Sequence, residues 1–258
     1  MSQPPRAASN AEWEQWGESD PFWGVASWAG RERGGENPWT PGEFYELGRS
    51  DWADFRRHWQ SYGIAPGVCI EIGCGAGRLT KHVAGDFQQV IAVDVAQGML
   101  ATAREHVTEP NVDFRLGNGL VVPADSDTAD GVFSSHVFQH FENLTLARDN
   151  FREIARVLVP GGTAMIHLPV YLPPAHVPML EQTVDLGRRV SVVRARYKRR
   201  RGKPLMRGLQ YSWDWLRREL PAVGLEDVEL SIFAVGSNAD PHPFVLARKP
   251  KGGPLHPS

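Results

Sequence analysis

Val68-Cys69-Ile70-Glu71-Ile72-Gly73-Cys74-Gly75-Ala76-Gly77-Arg78 is the stretch that decides how the rest of this chain is read. Its apolar start is that of a buried strand, and the alternate glycines that follow mark a sharp turn. Glycines at 73, 75 and 77 remove three Cβ atoms from one face of the turn, so the backbone bends tightly and a ligand can approach its amides. A dinucleotide-binding turn places its third glycine three residues after the second, where this chain has Arg78, so a pyrophosphate is disfavoured as the guest. A strand-to-helix turn with no ligand is the other reading of the glycines when they are taken alone.

The surroundings add to the motif. From position 68 onward, short β-branched runs alternate with segments of helical spacing, the pattern of a parallel sheet with crossover helices. Strands are expected at 68–72, 90–94, 112–115, 131–135 and 163–168, and two more at 228–233 and 244–248. Residues 145–158 carry Leu146, Phe151, Ile154, Val157 and Leu158 on one helical stripe, and Pro160-Gly161-Gly162 is expected to stop that helix. The last two strands are separated only by a Gly-Ser-Asn-Ala-Asp-Pro run, which points to a final antiparallel hairpin.

With these features the chain resembles the class I S-adenosylmethionine-dependent methyltransferases, in particular small-molecule members of the type 11/25 kind. The resemblance covers roughly residues 60–168 and, more weakly, 211–249. It implies an α/β, Rossmann-like fold: a mostly parallel seven-stranded sheet ending in an antiparallel hairpin. It also implies S-adenosyl-L-methionine as cofactor and S-adenosyl-L-homocysteine as product. Glu71, Gly73, Gly75 and Gly77 match the family's first motif, with a helix expected to begin at 76 or 77 and Arg78 available to the cofactor's carboxylate. Asp94, at the end of the second strand, matches the residue that holds the ribose hydroxyls, and Met99 one that packs on adenine. Asn118 and Gly119 match the adenine-reading segment, where an Asp is common; an amide oxygen still accepts from the exocyclic amine. An Asn-Gly turn without a ligand role is the other reading of that pair.

Ser135, His136 and His140 follow the fourth strand, and ligands of open α/β sheets sit beyond the carboxyl ends of the strands. His140, and after it His136, is the candidate base, since an imidazole titrates near neutrality. A base is not obligatory, because a sulfonium methyl is already activated and the protein has mainly to position and dry the reactants. The Asn/Asp-Pro-Pro-Tyr/Phe tetrad of many amino-group methyltransferases is replaced by Ser134-Ser135-His136-Val137. No paired metal-ligand motif is present, so no metal site is expected.

Two regions lie outside the expected core. Residues 1–60 hold seven of the nine tryptophans and read as an aromatic lid, with Trp23, Phe44 and Tyr45 as its inner residues and Tyr211 joining them in a substrate pocket. Fastening the extension to the core is the plainer use of the same residues. The domain at 61–249 carries an insertion at 170–210, and 250–258, together with Lys249, reads as a disordered tail. Between 188 and 207 stand ten Lys or Arg residues and no acid. That run, with Arg199, Arg200 and Arg201 at its centre, suits RNA phosphates, an anionic lipid surface, an anionic acceptor or merely a solvated face.

The 258 residues, 41% hydrophobic, suffice for a substantial core, and a net charge of −2 gives no global drive towards nucleic acid or membrane. Two cysteines without a framework fit a reducing cytoplasm, and no apolar run is long enough to span a bilayer. The reading that follows is a cytoplasmic methyltransferase acting on an O, N or C nucleophile of a small organic acceptor, with secondary metabolism as a setting. An RNA methyltransferase docking through 188–207, and a non-catalytic partner protein with the same fold, are the alternatives. The oligomeric state is not legible.

Overall fold

The structure, a computed structural model, describes residues 5–171, 208–237 and 241–252. Its central sheet holds β1 (Val68–Ile72), β2 (Gln89–Asp94), β3 (Val112–Leu116), β4 (Ala129–Ser134) and β5 (Leu158–His167). A two-residue pair follows, β6 (Val170–Tyr171) with β7 (Tyr211–Ser212), and the sheet is completed by β8 (Glu226–Ala234) and β9 (Pro241–Arg248). The strand order is β3-β2-β1-β4-β5-β9-β8. The first five strands are parallel, and β9 runs antiparallel to both β5 and β8. This is the expected class I methyltransferase topology, and its reversal of strand order between β1 and β4 opens a crevice at their carboxyl ends.

Side-chain parity assigns the two faces. On β1, Ile70 and Ile72 join one apolar cluster while Cys69 joins the other. The first face is covered by α6 (Leu144–Val157), through Leu146, Phe151 and Ile154, and by α7 (Trp213–Ala222), through Leu216 and Leu220. The opposite face is covered by α3 (Pro41–Tyr62), whose Trp52, Phe55 and Trp59 pack on Phe133 and Phe244.

Helix α3 is built to be long. Thr40 and Glu43 form a reciprocal capping box, Pro41 occupies the first turn, and Gly63 closes the end at φ +112°. Its three large aromatics recur at helical spacing on one face. The boundary expected at 60 therefore falls inside a core helix, and only residues before 41 wrap the outside, as α1 (Asn10–Ser19) and α2 (Pro21–Val25). Trp59 is fully buried and donates from Nε1 to Thr163 Oγ1 at 3.0 Å. Its ring lies 3.0 Å from where a Cβ at Gly131 would stand, so β4 needs a glycine under the indole.

Three local expectations are corrected. Helix α6 ends at Val157, before Pro160, and the Pro-Gly-Gly run lies inside β5, where Gly161 takes φ +85° and its amide donates to Lys249 O at 2.9 Å. The helix expected from 76 or 77 begins only at Thr80, as the single turn α4 (Thr80–Val83), because Gly75 and Gly77 hold left-handed dihedrals that an α-helix does not admit. Lys249 is not loose: its Nζ reaches Asp127 at 2.7 Å and Leu158 O at 2.8 Å. Most of the insertion at 170–210, the whole basic run at 188–207 and the last residues of the tail lie outside the described residues. Among the described residues no helix is long and apolar enough to cross a membrane.

Replacing Trp59 with Ala removes a large buried ring and leaves Thr163 without its donor. Urea denaturation of Trp59→Ala is expected to show a loss of about 3–5 kcal/mol; a loss below about 1 kcal/mol contradicts the placement of α3 in the core.

Candidate cofactor and acceptor site

The turn after β1 is held from β2. Gly73 and Cys74 N–H donate to Val93 O at 2.7 and 3.0 Å. The carboxylate of Asp94 takes Gly75 N–H on Oδ2 at 2.8 Å and Ala96 N–H on Oδ1 at 2.9 Å. Asp94 is buried, and burial raises its pKa while the Ala96, Gly75 and Val95 amides pull it back. Gly73, Gly75 and Gly77 stand at φ +75°, +54° and +80°, conformations that a Cβ disfavours. The space their Cβ atoms would fill is taken by protein rather than left open to a ligand: Val137 presses on Gly73, Val25 Cγ2 would lie 2.6 Å from a Cβ at Gly75, and Val107 Cγ2 2.7 Å from one at Gly77. The glycines thus serve the turn and the close approach of three valines.

Beside this turn lies a cavity of about 420 Å³, within the range of about 300–1,000 Å³ typical of small-molecule sites. One wall carries Glu71, Gly73, Gly75, Arg78, Asp94 and Met99; Gly119, Ser135, His136 and His140 close the far end. Residues before α3 form the cover, with Asn10, Trp13, Val25 and Trp28 facing inward. Of the expected cofactor residues, Gly77 and Asn118 are not part of the lining. Gly77 is packed under Val107, and Asn118 is the turn-former of the alternative reading, its Oδ1 accepting Leu120 and Val121 N–H at 2.9 Å each. The Asn118 carbonyl meanwhile holds the N-terminal segment, accepting from Ala7 N–H at 3.0 Å and Asn10 Nδ2 at 2.9 Å.

The expected substrate aromatics are placed elsewhere. Phe44 is fully buried and stacks on Phe22 at 4.5 Å, Tyr45 donates to Ala76 O at 2.7 Å, and Tyr211 donates to Phe138 O at 2.7 Å. Trp23 packs on Trp16 and donates to Trp28 O at 3.0 Å. Phe44 and Tyr45 fasten the extension and the glycine turn to α3, Tyr211 fastens its segment to the loop at 138, and Trp23 packs within the extension itself; Trp13 and Trp28 supply the aromatic wall instead.

Charged groups of the cavity are organised by α3. Arg78, buried, is ion-paired with Asp51, and Ser237 Oγ donates to the other Asp51 oxygen at 2.5 Å. Glu71 is buried on the strand end, and burial pushes its carboxyl up to about 7, with Thr80 and Arg78 pulling the other way. Glu71 Oε2 and Ser135 Oγ are buried with no hydrogen-bond partner.

The two histidine candidates differ in setting. His140 meets Trp13 edge-on at 4.9 Å between ring centroids and lies 3.1 Å from Gln139 Nε2. His136 sits at φ +60° and is packed with His167 and His242, a cluster with no local sequence signal because β5, β9 and the loop after β4 deliver its members from distant parts of the chain. Burial first, then neighbouring charge, holds the His136 pKa well below the usual imidazole value and lowers that of His167 to about 3. His136 is therefore neutral at pH 7 and a poor proton acceptor, which favours His140 for that role.

Comparison with known proteins converges with this geometry. A family described as a methyltransferase domain matches residues 70–166. An uncharacterized methyltransferase-like protein of Schizosaccharomyces pombe is 34% identical over 96 residues, 37% of this chain and 35% of that protein. The malonyl-acyl carrier protein O-methyltransferase of Methylococcus capsulatus is 34% identical over 125 residues, 45% and 41% of the two chains. The chain thus spans less than half the length of these relatives. The match supports a class I S-adenosylmethionine-dependent methyltransferase reading of residues 70–166. The solved structure of the 4+2 cyclase SpnF shares the fold at a TM-score of 0.58 and 16% identity, covering 96% of this chain and 98% of that one.

S-adenosylmethionine is the cofactor of this methyltransferase family, and the site fits it. Each Asp94 oxygen keeps a lone pair beyond the amide it accepts, as a ribose diol requires. The buried, unpartnered oxygens of Glu71 and Ser135 call for a donor from the cavity. Arg78, ion-paired with Asp51, stands on the same wall.

Glu71 provides a test of the electrostatics. Its folded pKa, about 7, exceeds the ordinary 4.5, so the folded state binds more protons between those values and its contribution to stability declines as pH rises through them. Glu71→Gln, which cannot ionise, is expected to gain on the wild type between pH 5 and pH 8 in denaturant titrations. A difference independent of pH, or one of opposite sign, contradicts the assigned burial.

Proposed function

We propose that this methyltransferase-family chain moves a methyl group from S-adenosylmethionine to an O, N or C nucleophile of a small organic acceptor, mainly by positioning and desolvation. The observation that carries the reading is the cover itself: Trp13, Val25 and Trp28 lie over the wall formed by Asp94 and Arg78, so the cavity is bounded on both sides by this one chain. A roofed cavity of this size suits a small acceptor and not a polynucleotide strand. A relative named for methylating the malonyl group on acyl carrier protein supports a small acceptor or one presented on a carrier.

Bound in the cavity, S-adenosylmethionine supplies a methyl group activated by its sulfonium. Asp94 would hold the ribose hydroxyls, Met99 would pack against the adenine, and Glu71 with Arg78 would receive the charged methionine end. Val25 and Val137, clamped over the glycines, fix the turn and exclude water, which strengthens every polar contact inside. His140, at the acceptor end, takes the proton from an acceptor hydroxyl or amine where one must leave. The polar walls are set before the acceptor arrives, so no reorganisation is needed in the transfer.

The test is transfer of isotopically labelled methyl from S-adenosylmethionine to panels of phenols, carboxylates and amines, with mixed RNA alongside. Label on a small acceptor, with kcat reduced at least about 100-fold in His140→Ala, is the expected result. Label on RNA that disappears in Arg199→Ser, Arg200→Ser, Arg201→Ser protein overturns the small-acceptor reading in favour of docking through 188–207. Cofactor binding without transfer to any acceptor favours the non-catalytic one.

A further inference from the structure

We propose that His136, His167 and His242 form a binding site for a divalent transition-metal ion of the zinc type, set in the wall of the cavity. The three rings make a compact triangle, with centroids 4.0 Å apart for His136 and His167, 5.4 Å for His136 and His242, and 5.3 Å for His167 and His242. One ring nitrogen from each lies within 4.8 Å of the others. Zinc bound tetrahedrally at about 2.0–2.1 Å needs its nitrogens roughly 3.4 Å apart, a closure that small side-chain rotations supply. Imidazole is a ligand that zinc, cobalt, nickel and copper share.

Two further observations separate this cluster from an ordinary packing of rings. His167 is 5% exposed, yet its Nδ1 has no hydrogen-bond partner, a cost that a buried donor or acceptor rarely bears without a ligand. His136 stands at φ +60°, an uncommon conformation for a side-chain-bearing residue, and its ring packs against the other two. The setting is otherwise compatible with a cation. Arg78, the nearby positive charge, is neutralised by Asp51, and Phe244 and Phe55 back His167 and His242 on the side away from the cavity.

His136 and His242 line the cavity, so three protein nitrogens would leave the remaining coordination position turned towards the acceptor. That is the arrangement of a reactive metal site, not of a closed structural one. His167 ends β5 and His242 lies at the start of β9, while His136 follows β4 by two residues, so two of the three ligands stand on the sheet, which is where a ligand set is best held. This inference stands apart from methyl transfer, since it requires only that the described core folds as it does.

The experiment uses the full chain without a histidine tag, stripped with chelator and titrated with cobalt(II) chloride and with zinc chloride. One ion per chain is expected, with the visible absorption of low-coordinate cobalt(II) and a rise in melting temperature on zinc. His167→Gln and His242→Gln are each expected to weaken binding by more than about 100-fold, beyond the 10–100-fold that losing an outer-shell partner costs, while His58→Gln, outside the cluster, binds as the wild type does. The inference is overturned if the wild type takes up no stoichiometric ion, or if every folded cluster variant binds and is stabilised as the wild type is.

Discussion

The carboxylate of Asp94 is the point from which the rest of the site is organised. It stands at the end of β2 and takes the Gly75 and Ala96 amides on its two oxygens, which ties the glycine turn of β1 to the start of α5 (Gln97–His106). Without that clasp the left-handed glycines have no reason to hold one conformation, because each pays a large entropy cost on ordering. With it, the turn becomes a fixed wall against which Val137 and Val25 pack. A buried carboxylate is costly, and the two charge-assisted amide bonds are what make it tolerable.

A second constraint runs from the other direction. The ion pair of Arg78 with Asp51, extended by Ser237, joins the glycine turn to α3 and to the segment before β9. The N-terminal chain is tied down separately by Ala7 and Asn10 on the Asn118 carbonyl. The cavity cover is therefore held at its N-terminal end by polar contacts to a loop that forms the cavity, while its other end runs into α3, which the Asp51 contacts tie to the glycine turn. The aromatic residues of the extension mostly serve that fastening, and only a few of them face inward.

Much of the fold was legible because its signals are local. The strands were marked by β-branched runs ending at Gly, Asp or Ser, and the final hairpin by a connection too short for a helix. The extension was harder to read. Trp52, Phe55 and Trp59 have the spacing of a core helix and Thr40 with Glu43 is a helix-start signature, but the density of tryptophan drew the eye to a lid. Asn118 illustrates competition between two uses of one side chain: its oxygen bonds the backbone two and three residues on, a nearer partner than any ligand. The histidine cluster carries no local signal at all, since β5, β9 and the loop after β4 bring it together and none of its members is spaced as a ligand pair. Tyr45 and Tyr211 are hard to read for a related reason: a buried phenol that finds a carbonyl in the core looks, in sequence, like one that awaits a substrate.

The central claim is that Asp94 anchors an adenosyl cofactor in this cavity. Calorimetric titration with S-adenosylhomocysteine, performed on the wild type and on Asp94→Asn with NAD as the control ligand, tests it most directly. Binding of S-adenosylhomocysteine alone is expected, weakened roughly tenfold or more in the variant, as loss of a charged hydrogen-bond acceptor implies. Equal affinity of the two proteins, or binding of NAD in place of S-adenosylhomocysteine, would contradict it.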